Sequence, residues 1–155
     1  MEVGNPCHGC APSPWVQRAN QFVASNAGNS SLRPHVITLS FLLKNGNCGI
    51  KNRVTIEDIL HHLGQEGFTL NREEFQNQVL TQLKREGTLA TLVYPGRQGG
   101  VFIPYGDDDL QHVTAQIMER LVQELTNLEG SAASSKNEPA IRLLRKIVEV
   151  FKDSL

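Results

Sequence analysis

Residues 79–89 read Val-Leu-Thr-Gln-Leu-Lys-Arg-Glu-Gly-Thr-Leu, a helical ending with a basic pair, a glycine and the first apolar residue of an extended run. Upstream, Asn71 is followed three positions later by Glu74, the spacing of a reciprocal helix cap. Phe75, Val79, Leu80 and Leu83 then recur at helical intervals, so a helix is expected over residues 71–86. Gly87 is placed to leave it in the left-handed conformation. Downstream, residues 89–94 are apolar and β-branched, residues 95–100 read Pro-Gly-Arg-Gln-Gly-Gly, and Val101-Phe102-Ile103 is apolar again. Two apolar runs around a glycine-rich turn predict a β-hairpin.

Moving outward, Thr55 caps a helix that faces Ile56, Ile59, Leu60 and Leu63 inward and stops at Gly64 and Gly67. Arg53-Val54 ahead of it has room for a short extended piece. Pro34 opens a segment apolar on nearly every side, from Val36 to Leu43, which suits a central helix left at Lys44-Asn45-Gly46. Ser13 and Pro14 start a helix with Trp15, Val16, Ala19, Phe22 and Val23 on one face. Asp107, Asp108 and Asp109 place carboxylates at the positive end of a long helix. The expected organisation is a flexible lead-in with a docking helix (1–31), a central domain (32–106), a long helix (107–129), a linker (130–137) and a C-terminal amphipathic helix (138–155). The fold class is mainly α with a small β-hairpin.

This order of helix, short extended segment, helix, helix, hairpin and helix resembles the winged helix-turn-helix family. The residues that carry the resemblance are 79–89 and the turn Gly96 to Gly100, which corresponds to the wing. The long helix after the wing makes the layout similar to PadR-like and MarR-like regulators, with additional helices at both ends. The resemblance implies a dimer that binds double-stranded DNA, with helix 71–86 in the major groove and the 95–100 wing beside it.

On that helix the outward residues are Arg72, Gln76, Asn77 and Thr81, types that hydrogen-bond base edges and phosphates. Lys84 and Arg85 close it with positive charge. Arg97, followed by Gln98, stands on a narrow turn suited to phosphate or to a minor groove, and Lys51 and Arg53 are candidates for a phosphate-facing edge. Glu73 and Glu74 oppose this, although Glu74 is engaged if it serves its cap. Dimerisation is expected through Met118, Leu121, Leu125 and Leu128, whose three-four-three spacing fits a helical seam, joined by Ile141, Leu144 and Ile147 of the last helix.

The 155 residues carry a net charge of −1, too little for indiscriminate binding to nucleic acid, so any DNA contact must be local. Residues 106–129 hold six acidic side chains against one basic one, which makes that helix a candidate contact for a protein partner. Apolar runs are too short to span a membrane and no basic-then-apolar leader opens the chain, so the expectation is a soluble, cytoplasmic protein without membrane contact. Three cysteines give no disulfide framework, and a reducing compartment with unreactive thiols is the simpler expectation. Cys7 and Cys10 have the spacing of half a zinc site but lack a second pair. His61 and His62 lack the four-residue helical spacing of a metal pair; one ring is expected at the surface and the other partly packed. No nucleophile, base and oxyanion donor converge, so no enzyme and no cofactor are expected. The leading expectation is a dimeric transcriptional regulator or DNA-maintenance factor. Its alternatives are a winged-helix protein-interaction module without direct DNA binding and, third, a thiol or metal sensor.

Overall fold

The computed structural model describes residues 10–92 and 99–153. Local caps start the helices where short-range chemistry directs. Ser13 Oγ accepts the Val16 amide at 3.2 Å and opens α1 (Pro14–Asn26). Pro34 sits in the first turn of α2 (Arg33–Lys44), which ends near Gly46 at φ 68°. Thr55 Oγ1 accepts the Asp58 amide at 3.2 Å and opens α3 (Ile56–Gln65). Asn71 and Glu74 form the reciprocal cap of α4 (72–85), with bonds of 2.9 and 2.8 Å.

Helix α4 is not uniformly α-helical: Arg72–Glu74 and Thr81–Arg85 flank a π-helical stretch, Phe75–Leu80. Gly87, at φ 69°, then turns the chain into β1 (Ala90–Leu92), which pairs antiparallel with β2 (Gly100–Phe102) in the register Ala90↔Phe102. The other side of β2 is bonded to Val54, through Val54 N to Val101 O at 3.0 Å and Val101 N to Val54 O at 2.8 Å. The expected extended piece at 53–54 is therefore present. The chain is mainly helical with one small antiparallel sheet, a winged-helix-like α+β arrangement.

The molecule divides into two units, Met1–Leu110 and Gln111–Leu155. In the first, α2 contributes Leu39 and Leu42 to a core shared with Ile59 and Leu63 of α3, Phe75, Val79, Leu80 and Leu83 of α4, and Val101 of β2. All four α4 residues expected inward are buried. Each such side chain stabilises the fold by about 1.5–3 kcal/mol relative to exposure. Helix α5 (Asp107–Ser134) begins in this unit, and its Asp109 carboxylate accepts the amides of Ile50, Tyr105 and Gly106 at 3.0, 2.9 and 3.3 Å. In the second unit the rest of α5 is followed by α6 (Glu138–Asp153), where Arg145 Nε meets Glu129 Oε1 at 2.7 Å. No described helix is long and apolar enough to cross a membrane.

Three expectations are corrected. The linker placed at 130–137 is helical as far as Ser134, because Ser131 and Ser134 return hydrogen bonds to the carbonyls of Asn127 and Gly130 and two alanines offset the single glycine. The uninterrupted α-helix at 71–86 contains the π turn. Cys10 and Cys48, expected as unreactive thiols, form a disulfide, since the fold brings their Cα atoms to 5.7 Å, within bridging range, and the expectation of a reducing compartment loses its support from the cysteines. Cys10 is thereby buried and tied down, although it falls in the lead-in expected to be flexible.

Candidate nucleic-acid interface

A cleft of about 850 Å³ opens where the start of α3, one side of α4 and the sheet meet. Arg72, Gln76, Asn77, Thr81 and Lys84 of α4 line it, together with Gly99 and Gly100 at the sheet. Five of the expected DNA-contacting residues thus share one concave surface. Gln76, Asn77 and Lys84 are exposed, while Thr81 is half-buried and donates its hydroxyl to the Gln76 carbonyl at 2.8 Å. That hydroxyl remains free only as an acceptor.

The electrostatics of the cleft are mixed. Arg72 and Lys84 are its cations, and Glu57, from the first turn of α3, is its carboxylate. Glu57 is ion-paired with Arg72, both side chains exposed. Partial desolvation pulls the Lys84 ammonium below the ordinary lysine range. Of the two glutamates expected to oppose DNA, Glu74 is occupied in the cap and Glu73 is exposed.

The remaining candidates are dispersed. Arg53 lies at the sheet, where its stem crosses Gly100: a Cβ there would come within 2.9 Å of Arg53 Cγ. Its guanidinium also donates to the Ile50 carbonyl at 3.1 Å. Lys51 lines a separate depression of about 380 Å³ beside Cys10, Cys48 and Asp109. Arg85 is exposed but does not line the cleft. Arg97 and Gln98, with most of the expected wing, lie outside the described residues.

Of the seven expected dimerisation residues, Ile141 is buried, Met118, Leu121, Leu125, Leu144 and Ile147 are half-buried, and Leu128 is 55% exposed. Cys7 lies outside the described residues, and Cys10 is unavailable to a metal while bonded to Cys48. Among the described residues no group of three or more His, Cys, Asp or Glu side chains is placed to hold a metal ion. His61 is exposed, and His62 stacks on Phe41 with ring centroids 4.7 Å apart.

Sequence reasoning missed three features in and behind this surface. Glu57 was legible only as a first-turn acid, the π turn has no local signature, and His35 reads as one residue of an apolar helix. His35 is in fact buried and its Nε2 meets the Gln78 carbonyl of α4 at 2.9 Å.

No protein-family model matches the chain, and no solved structure matches it. It is similar to a protein of Methanocaldococcus jannaschii named "Putative control protein C.MjaVP", with 46% identity over 134 residues that cover 84% of this chain and 82% of that protein.

Proposed function

The chain belongs to the family of control protein C.MjaVP, and from that premise we propose that it is a non-enzymatic, cytoplasmic regulator of transcription that binds double-stranded DNA as a homodimer. The observation that carries the reading is the convergence of Arg72, Gln76, Asn77 and Lys84 on one cleft beside the sheet. In this reading the exposed side of α4 enters the major groove, Gln76 and Asn77 meet base edges, and Arg72 and Lys84 hold phosphates. Arg53 and Arg85 extend the phosphate contact, and Arg97 and Gln98 are further candidates from the sequence. Helices α5 and α6 provide the dimer contact; support comes from Ile117, Leu128 and Leu143, large apolar residues that stay exposed in the single chain. A dimer presents two copies of α4 to a two-fold site.

Titration onto random-sequence duplex DNA at two salt concentrations, with the oligomeric mass recorded in the same buffers, tests this. A dimer whose affinity falls steeply with salt is the expected result, because each neutralised phosphate releases counterions. Absence of binding at low salt would sink the proposal.

One observation favours a protein-interaction role instead: Glu57 already holds Arg72. A specific protein partner recovered after nuclease treatment, from a chain that binds no duplex, would establish that second reading.

A further inference from the structure

A π turn bonds each amide to the carbonyl five residues back and so holds one residue more than an α turn. Everything beyond it is turned back by about one residue's step, roughly 100° at 3.6 residues per turn. In an unbroken α-helix Arg72 and Thr81, nine positions apart, would stand about 180° from each other. Here both line the same cleft, with Gln76 and Asn77 between them and Lys84 beyond. The additional residue within Phe75–Leu80 is what gathers these side chains onto one face.

Such turns are rare, because the α alternative bonds the backbone better, and they persist where groups outside the ladder favour them. Two groups do so here. The Gln76 carbonyl accepts both the Thr81 amide and, at 2.8 Å, the Thr81 hydroxyl. The Gln78 carbonyl accepts from His35 Nε2 at 2.9 Å, a bond that crosses from α2 over 43 positions of sequence. A carbonyl oxygen only accepts, so the ring carries its proton on Nε2. His35 is 6% exposed, and its other nitrogen, Nδ1, is buried with no hydrogen-bond partner among the described residues. An apolar side chain would fill that position without leaving a polar atom unsatisfied. The bond to Gln78 is the interaction that an imidazole provides there and a leucine does not.

We infer that His35 is a positioning residue for DNA recognition, which holds the Gln78 carbonyl, fixes the π turn and thereby keeps Arg72, Gln76, Asn77, Thr81 and Lys84 on one face of α4. This inference rests on the DNA-binding reading above.

The test compares the full-length protein with His35→Leu, which removes the donor, and His35→Gln, which restores one. Affinity for a random-sequence duplex at fixed salt is measured beside backbone amide exchange over residues 75–85 and over α3. His35→Leu is expected to stay folded, to bind duplex about tenfold more weakly and to exchange at least tenfold faster over 75–85 with α3 unchanged. His35→Gln should recover most of both losses. If His35→Leu fails to fold, deletion of Gln78 replaces it: an α turn one residue shorter leaves Arg72, Thr81 and Lys84 at their present relative angles, so duplex affinity should stay within about threefold of wild type without the bond to His35, and a tenfold loss would overturn the inference. A purely structural role would speed exchange in α3 as well and leave affinity unaltered at temperatures where the variant is folded; that result overturns the inference, as does exchange over 75–85 equal to wild type. Should the wild-type protein bind no duplex at low salt, the DNA reading falls by itself, and the exchange measurement alone decides whether His35 holds the turn.

Discussion

The carboxylate of Asp109 accepts the backbone amide of Ile50 at 3.0 Å, across 59 positions of sequence. Its second oxygen takes the amides of Tyr105 and Gly106 at 2.9 and 3.3 Å. One residue in the first turn of α5 therefore fastens the Ile50–Asn52 turn and the exit from β2 to the same point. Asp109→Ala should destabilise the protein by about 2–3 kcal/mol, the scale of charge-assisted hydrogen bonds when the part-buried amides of Ile50 and Gly106 lose their acceptor. Asp109→Asn, which keeps one acceptor oxygen, should lose about half as much. Urea unfolding measures both, and a loss within experimental error for Asp109→Ala would show that solvent replaces the carboxylate.

Glu57 and a DNA phosphate would compete for the Arg72 guanidinium. Glu57→Gln should therefore raise duplex affinity several-fold at low salt, with the gain shrinking as salt screens the charges. Arg72→Ala should lower affinity about tenfold. If Glu57→Gln leaves binding unaltered while Arg72→Ala weakens it, the ion pair imposes no barrier to DNA.

The Cys10–Cys48 bridge closes a loop with a sequence separation of 38. On the chain-entropy account such a closure stabilises the folded state by about 4 kcal/mol. Thermal unfolding with and without a dithiol reductant, alongside a Cys10→Ala, Cys48→Ala variant, should show the reduced protein and the variant losing stability together. Identical melting of the oxidised and reduced proteins would refute it.

Desolvation by burial holds the His35 pKa below its ordinary value of 6.5, against the smaller raising effects of the bonded Gln78 carbonyl and the nearby Gln82 side chain. The folded state prefers the neutral ring, so the unfolded chain takes up the proton first as pH falls. The contribution of His35 to stability is complete above about pH 6.5 and declines below it, until the pH passes the folded pKa. The difference in melting temperature between wild type and His35→Gln, followed from about pH 8 to 5, should narrow below 6.5. A difference constant across that range would argue against the neutral buried ring.

The features legible in the sequence are those whose causes lie within a few residues of one another. Ser13, Thr55 and Asn71 cap their helices because each acceptor reaches an amide three positions on. Phe75, Val79, Leu80 and Leu83 face the core because their spacing leaves them one side to share. The features that were not legible depend on partners supplied by the tertiary fold. Asp107, Asp108 and Asp109 look alike as a run favouring a helix start, yet only the third is positioned to accept three amides. The π turn takes one of its supports from a ring 43 positions away, and the disulfide joins a residue before α1 to one after α2. Lys51 and Arg53, neighbours in sequence, line different surfaces because the turn at Ile50–Asn52 directs them apart.

Strand β2 is occupied along both edges over the described residues: β1 pairs with it on one side, and Val54 bonds to Val101 on the other. The stem of Arg53 also lies across Gly100. Over the described residues β2 therefore offers no open edge to a strand from another molecule, and a substitution that uncovers it is where unwanted polymerisation would begin.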